Sequence, residues 1–282
     1  MDVQTYYPKD ATLKRCIEYY YFLKTDSQEY SSTYYAFPNT LQSFNIHQYA
    51  GCDIDTSSIT VYGDKKNKYL MIVQGHYELP LFVQLKGLLD KITILFKPLG
   101  LNHFIKKPFA EVAGKTSQVF TEWYDDENCI QFLTDFYNTG DNDERITILE
   151  KYLLTLYHSY SEEEIMQHAI DLLTDFNEEL SIEAIAQKTG MSSRTFHRMF
   201  IKHLGISPVG FKKIARFRHS MENKLFKDQF KTLTNIGYES NYYDQSYFHK
   251  MYKKLTGQNP LKFFDSIEKL ADDQLIFKFV NK

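Results

Sequence analysis

Two segments of this chain place hydrogen-bonding side chains along one face of a helix. In the first segment they stand at the spacing i, i+3, i+4, i+8 and are Arg194, His197, Arg198 and Lys202. The second segment carries Gln245, Ser246, His249, Lys250, Lys253 and Lys254. Guanidinium, ammonium, imidazole and amide groups donate hydrogen bonds to phosphate oxygens and to base edges. Their spacing therefore predicts non-covalent recognition of a nucleic acid.

The two segments are copies of one sequence element. The pentapeptide at 196–200, Phe-His-Arg-Met-Phe, returns 52 residues later at 248–252 as Phe-His-Lys-Met-Tyr, and Gly-x-x-Pro follows each copy at one fixed distance. The alignment also pairs Ile185 with Ile236. Agreement at so many spaced positions indicates an internal duplication.

The distribution of charge supports this interpretation, although the formal net charge of the chain is only -3. From Lys188 to Lys262 fifteen Lys and Arg residues stand against four acids, whereas residues 1–164 carry fifteen against twenty-three acids. A basic helix face is most often only a solvated surface. Here the face is duplicated in register with its apolar support, which favours salt-dependent attraction to phosphates.

Each copy predicts two helices joined by a tight turn. In the first copy Ser181 can cap one helix, Gly190 supplies the left-handed residue, and Ser192 or Ser193 can cap the next helix. That second helix has an apolar face made of Phe196, Met199, Phe200 and Leu204. One face is thus expected to pack, and the other to point outward.

One helix is expected to join the two units. Ser207 followed by Pro208 is typical of an N-cap with proline at the first helical position. The apolar residues of this helix are Phe211, Ile214, Ala215, Phe217 and Met221. It would hold the two units at a fixed distance.

Residues 166–267 resemble the DNA-binding domain of the AraC/XylS transcriptional regulators, in which two helix-turn-helix units are joined by one long helix. The motifs that carry the resemblance are LSIEAIA (180–186), GMS (190–192), FHRMF (196–200), GISP (205–208), DQSYF (244–248) and GQNP (257–260). The chain departs from the family pattern at Gly237, where the family usually has Ala, and at Asn241, where it usually has Gly. Asn tolerates a left-handed conformation, and Gly weakens a helix by about 1 kcal/mol relative to Ala. We expect the second unit to be intact but less rigid.

The outward faces provide candidate DNA contacts. The residues predicted to read bases are Arg194, His197, Arg198, Gln245, Ser246, His249 and Lys250. The residues predicted to contact phosphates are Ser193, Lys202, Lys213, Arg216, Lys253 and Lys254. Arginine can donate two hydrogen bonds to guanine, and glutamine can pair with adenine. We therefore expect the first helix to dominate base recognition and the second to contribute more through phosphates.

The fold class expected for the whole chain is α+β with two domains. Short runs rich in aromatic and β-branched residues, with glycines at 51, 63, 75 and 87, predict strands that include 57–62, 69–74, 82–85 and 91–96. These strands favour a β-sandwich or barrel, and the apolar spacing after them predicts helices around 130–136 and 146–156. The resemblance to AraC/XylS regulators implies that the barrel is cupin-like. The expected divisions are an N-terminal regulatory domain (1–158), a linker (159–165), the double helix-turn-helix domain (166–267, with units at about 181–204 and 232–255) and a tail (268–282).

Two features of the first half leave alternatives open. The helix from Ile146 to Leu156 could pair with its copy in a second subunit or pack on its own barrel. A barrel lined by aromatic side chains could hold a small-molecule effector, although most aromatic residues are expected in the core. The tail segment at 275–280 is unusually apolar for a free end and is expected to dock.

Several function classes are disfavoured. Cys16, Cys52 and Cys129 are odd in number and widely spaced, which favours neither disulfides nor a zinc cluster. His47 and His76 are scattered, so no metal or other cofactor is expected. Because no phosphate-binding loop, nucleophile elbow or dinucleotide fingerprint is present, we argue against an enzyme. A polar N-terminus without a long apolar run favours a cytoplasmic protein and no membrane partner.

The leading hypothesis is a sequence-specific transcription regulator that binds double-stranded DNA, with an N-terminal domain that senses an effector or forms a homodimer. RNA polymerase is an additional candidate partner, and activation and repression are both open. One alternative is an architectural DNA binder with little sequence preference. Another is a degenerate cupin-like enzyme or ligand-binding module with an attached DNA-binding domain.

Overall fold

An N-terminal β-sandwich with attached helices is followed by a C-terminal helical domain in the computed structural model, which describes residues 3–113, 117–227, 232–242, 244–270 and 275–281. The strands are β1 (Val3–Tyr6), β2 (Ile17–Lys24), β3 (Ser31–Ala36), β4 (Gln42–Gln48), β5 (Ala50–Ile54), β6 (Ser58–Gly63), β7 (Tyr69–Gln74), β8 (Leu81–Lys86), β9 (Asp90–Phe96), β10 (Ser117–Val119), β11 (Glu268–Leu270) and β12 (Leu275–Asn281). The helices are α1 (Ala11–Cys16), α2 (Phe109–Val112), α3 (Cys129–Asn138), α4 (Asn142–Leu156), α5 (Glu163–Thr174), α6 (Ile182–Lys188), α7 (Ser193–Leu204), α8 (Pro208–Glu222), α9 (Leu233–Glu239), α10 (Gln245–Thr256) and α11 (Pro260–Ser266).

Two six-stranded sheets form the sandwich. Their strand orders are β1-β2-β9-β4-β7-β10 and β11-β12-β3-β8-β6-β5, and the strand pairs are antiparallel except for β6 with β8. Between the sheets lies an apolar core that includes Leu70 and Ile72 from the first sheet and Val61 and Val83 from the second. The predicted α+β class, with a sandwich followed by helices, is confirmed.

The first sheet is buried on both faces. Its second face packs with α3 and α4 in a separate core that contains Phe44, Met71, Ile94, Phe136 and Leu149. This explains why β7 reads as an uninterrupted apolar run, since a strand covered on both sides has no solvent face to keep polar. The four predicted strand segments at 57–62, 69–74, 82–85 and 91–96 are confirmed to within a residue or two.

The structure favours one of the two alternatives for α4. Ile146, Leu149 and Leu153 are fully buried in the core beneath the first sheet. These residues are the apolar face through which α4 could have paired with a second copy. In this conformation that face packs on the protein's own sandwich.

The boundaries near α4 and α5 differ from those expected. α4 begins at Asn142, four residues before the expected start at Ile146, and Asp141 caps it by accepting from the backbone N–H groups of Asp143 and Glu144. The predicted linker at 159–165 is also too long, because α5 already begins at Glu163. In both places acidic residues fill a first helical turn, where they interact favourably with the helix dipole.

The tail joins the N-terminal domain. β12 pairs antiparallel with β3, and β11 pairs with β12, so residues that follow the helical domain extend the second sheet of the sandwich. Phe277 is buried and lies 4.5 Å from Tyr34 between ring centroids. The helical domain is therefore attached to the sandwich at both of its ends.

Candidate nucleic-acid interface

The first helix-turn-helix unit is built by local capping interactions. Ser181 Oγ accepts from the backbone N–H of Ala184 at the start of α6, and Gly190 turns the chain with a φ of 69°. Ser192 Oγ then accepts from the backbone N–H of Thr195, which makes Ser192 the cap of α7 and Ser193 its first residue. Gly205 closes α7 with a φ of 68°.

The second unit repeats this geometry with different residues. Thr232 caps α9, and Asp244 caps α10 by accepting from the backbone N–H of Tyr247 at 2.7 Å. Asn241 occupies the left-handed position, with a φ of 55°, as expected for the residue aligned with Gly190. The side-chain amide of Asn241 also donates to the carbonyl of Phe176, which ties this turn to the end of α5.

Each unit has its own apolar core, and α8 contributes to both. Phe211 and Ile214, in the first half of α8, pack with Phe196 and Phe200 of the first unit. In the second half of α8, Phe217 and Met221 pack with the core of the second unit, which includes Phe248 and Tyr252. A helix of this length spans about 22 Å. Because both halves are anchored, α8 holds the two units in a fixed relation.

The predicted base-reading residues occupy the faces opposite these cores. The exposed ones are Arg194, His197, Arg198, Ser246, His249 and Lys250, and Gln245 is half-buried. Within the described residues, none of the ion pairs of the chain involves Arg194, Arg198 or Lys250. Their hydrogen-bond donors face solvent on α7 and α10, so both helices can present them to a ligand surface.

The phosphate candidates divide into two groups. Ser193, on α7, and Lys253, on α10, are exposed, and Lys213 on α8 is half-buried. Lys202 and Lys254, which occupy equivalent positions in the two copies, each form an ion pair with an acid outside their own unit. Lys202 binds Glu162 at 2.9 Å, and Lys254 binds Glu78 at 2.6 Å. The hydrogen bond from Lys202 lowers the pKa of Glu162 to about 2. To contact phosphates, these two lysines would have to exchange their carboxylate partners.

Arg216 departs from its expected role. Its side chain is only 13% exposed, its guanidinium forms an ion pair with Glu179, and it lies over the ring of Tyr242 at 5.7 Å. Lys212 binds the same carboxylate at 3.3 Å. Arg216 therefore links α8 to the chain ahead of α6 and to the second unit. The sequence shows that Arg216 is a cationic residue of α8, but it could not reveal the ion pair with Glu179, because the two residues are distant in sequence.

Residues that sequence reasoning did not single out join the helical domain to the sandwich. Arg218 is half-buried, and its guanidinium donates to the backbone carbonyls of Phe37 and Pro38 at 2.8 and 2.7 Å. Asn102 donates to the carbonyl of His203 at 2.9 Å, and His76 Nδ1 lies 2.8 Å from the carbonyl of Leu204. These bonds use backbone carbonyls, which leave no signal in an amino-acid pattern.

His203 is buried at the end of α7. Its ring stacks on Tyr160 with 5.2 Å between centroids. Burial, and then the charge of the adjacent Lys202, lowers the pKa of His203 to about 4. The equivalent position in the second copy is the apolar Leu255. His203 thus replaces a core hydrophobe and is neutral near pH 7.

A cavity of about 90 Å³ lies between the two sheets of the sandwich. Its walls include Tyr19 and Tyr21 of β2 and Phe277 of the tail. Arg218, from the helical domain, also reaches this cavity. Over the part of the chain that the structure describes, no group of three or more His, Cys, Asp or Glu side chains could hold a metal ion. Among the same residues, no helix is long and apolar enough to cross a membrane.

Comparison with known proteins identifies the helical region. Residues 185–266 match the model of a helix-turn-helix domain family. The chain is 29% identical over 96 residues to the HTH-type transcriptional activator RhaS of Escherichia fergusonii, which covers 34% of each protein. It is 27% identical over 138 residues to the arabinose operon regulatory protein of Escherichia coli K12, covering 45% of this chain and 46% of that protein. The chain thus matches less than half the length of these relatives.

Among solved structures, ToxT from Vibrio cholerae is similar over 94% of this chain and 98% of its own. The TM-score is 0.46 and the sequence identity is 12%.

Proposed function

We propose that this chain, whose C-terminal domain is an AraC-type helix-turn-helix domain, is a transcription regulator that recognises a specific DNA sequence with α7 and α10. One observation carries the proposal. The same capped framework occurs twice, each copy exposes hydrogen-bond donors on its second helix, and one helix is packed into both cores. Two sets of hydrogen-bond donors held at a fixed separation can contact two recognition sequences, or boxes, on one DNA duplex.

In the proposed complex, Arg194 and Arg198 donate to base edges in the major groove. Ser193, Lys213 and Lys253 contact phosphates, and Lys202 and Lys254 join them after releasing their carboxylates. Arg216 is left out of the proposed contacts, because its guanidinium is already bound and largely buried.

Selection of binding sites from a random pool of duplex DNA tests this function. The expected product is a motif with two boxes about one helical turn, roughly 10 base pairs, apart. A featureless pool would instead indicate an architectural binder, and absence of binding at moderate salt would refute DNA binding altogether. Substituting Arg194 and Arg198 together by alanine should abolish selection of one box and retain the other.

The proposed regulator is controlled through its N-terminal domain by a small molecule. The cavity between the sheets supports this part, because its wall contains residues of both domains. A ligand there would touch Arg218, whose guanidinium holds the helical domain to the carbonyls of Phe37 and Pro38. Binding could then change how the two units are presented, which is an energetic coupling between two sites.

A second copy of the chain and RNA polymerase are further proposed partners. A dimer would double the length of DNA that is read and would raise specificity. The apolar face of α4, one candidate surface for dimerisation, is buried in this conformation, so the proposed dimer uses another surface. Light scattering of the full chain, free and with a selected DNA site, tests for the second copy.

A further inference from the structure

The cavity of the sandwich contains a buried cation without a carboxylate partner among the described residues. Lys91 of β9 is 4% exposed and lines this cavity. Its ammonium donates to Asn45 Oδ1 at 3.4 Å and lies 5.3 Å from the ring centroid of Tyr21. Asn45 Oδ1 is also engaged by the hydroxyl of Thr93 at 2.8 Å. A long bond to a shared amide is weak compensation for a buried positive charge.

A second buried group beside Lys91 also lacks a partner. His47 stands directly opposite Lys91 in the pairing of β4 with β9, and it is 1% exposed. Its Nδ1 atom has no hydrogen-bond partner among the residues that the structure describes, and the residue lines the same cavity. Burial, followed by the charge of Lys91, holds the pKa of His47 well below its usual range. A neutral imidazole with its proton on Nδ1 is a hydrogen-bond donor.

The part of the wall that the second sheet supplies is mainly apolar, whereas the rest of the lining also includes polar residues such as Ser43, Gln74 and Arg218. Ile59, Val61, Val83 and Leu85 of the second sheet line the cavity. The cavity has a volume of about 90 Å³. Two adjacent donors, one of them charged, therefore share a cavity whose second-sheet wall is mainly hydrocarbon.

We propose that this cavity binds a small organic carboxylate, with the carboxylate on Lys91 and His47 and the hydrocarbon part against the second sheet. The inference rests on the proposed sensing role of the N-terminal domain and specifies its ligand class. A carboxylate would supply the negative charge that is missing beside the Lys91 ammonium and an acceptor for His47 Nδ1. The volume of the cavity favours a small acid such as hexanoate or benzoate.

Ligand binding to the full-length chain, without DNA, tests the proposal. The probes are acetate, hexanoate and benzoate, with benzamide as the neutral isostere of benzoate and hexadecanoate as the oversized acid. Hexanoate or benzoate should raise the thermal unfolding midpoint to a plateau as its concentration increases. Benzamide and hexadecanoate should not raise it. If no small acid raises the midpoint, or if benzamide matches benzoate, the proposal is wrong.

Two variants locate the binding. Lys91→Met removes the charge at similar length and should weaken carboxylate binding at least tenfold, while the midpoint of the unliganded protein stays the same or rises. Lys24→Met is the matched control, because Lys24 belongs to the same sheet but its side chain is 75% exposed. His47→Leu is the second test and should also weaken binding. If carboxylate binding were unchanged in both Lys91→Met and His47→Leu, the proposed site would be wrong.

These results are separable from those on DNA. A carboxylate that binds without changing DNA affinity would leave the site in place and remove its regulatory role. A protein that selects a DNA motif but binds no carboxylate would retain the proposed function and lose the proposed ligand.

Discussion

The two helix-turn-helix units share one framework but differ in their supports. The first unit packs with α5, and its reading helix ends in a segment bound to the sandwich through Asn102 and His76. The core of the second unit includes Phe37 of the sandwich, which lies 4.9 Å from Phe263, whereas the core of the first unit includes Leu99, which follows β9. The comparison indicates that duplication preserved the caps and the packed faces, whereas the donors and the attachments diverged.

The largest expected effect tests whether the two cores are independent. Phe196→Ala and Phe248→Ala each remove a fully buried ring, and each should cost about 3–5 kcal/mol. Because the two cores consist of different residues and share α8, each substitution should expose its own unit more than the other. Hydrogen exchange of α7 and α10 measures this difference, and equal loss of protection in both units from either substitution would contradict it.

The next effect concerns pH and only the first unit. His203 has a folded pKa of about 4, below its unfolded value, so its neutral form is stabilised by folding. This contribution to the free energy of unfolding is present above about pH 6.5 and is lost as the pH falls toward 4. It amounts to at most about 3 kcal/mol. His203→Leu introduces the leucine that the second unit has at the equivalent position, Leu255. In this variant the free energy of unfolding should fall less as the pH is lowered over this range. Urea unfolding at several pH values is the measurement.

A smaller effect separates base reading from phosphate contact. Arg198→Ala should cost about 1–3 kcal/mol on the selected sequence and relax preference at one position. Lys253→Ala should weaken binding to all sequences alike and reduce the slope of log affinity against log salt by about one. Titrations on selected and scrambled DNA compare the two. If both substitutions weakened binding equally on every sequence, the distinction between base reading by Arg198 and phosphate contact by Lys253 would be removed.

The second unit can be made more like the first by Gly237→Ala. A Cβ atom at Gly237 would lie 3.7 Å from Phe248, an ordinary contact, and alanine favours a helix by about 1 kcal/mol. The substitution should stabilise the chain by up to that amount. A lower thermal midpoint would show that α9 and α10 pack more closely than this distance indicates.

The smallest effect tests the ion pairs on the equivalent lysines. Glu78→Gln removes the charge bound to Lys254, and an exposed pair of this kind contributes about 0.2–1 kcal/mol. DNA affinity should rise by up to fivefold, equally on selected and scrambled sequences. Asp265→Asn, on exposed α11, is a control that removes an acidic charge elsewhere. An equal rise from the control would assign the effect to net charge.

Much of the helical domain could be predicted because its signals are local. Caps such as Ser181 and Asp244, left-handed turns at Gly190 and Asn241, and apolar faces at helical spacing all lie within a few residues of the structure they determine. The strands of the sandwich were predicted for the same reason. The extent of the linker was overestimated, because acidic residues are compatible both with a loop and with the first turn of α5.

The amino-acid sequence by itself thus determined the duplicated units, their packed and outward faces, and the α+β class, since these depend on periodicity and capping. Only the tertiary structure decided that Arg216 is engaged by Glu179, that Lys254 pairs with Glu78, and that β12 completes the sandwich. It also decided that Lys91 faces His47 inside a cavity. The physical reason is that these contacts join residues far apart in the chain, often through backbone carbonyls or strand register, which no local spacing specifies.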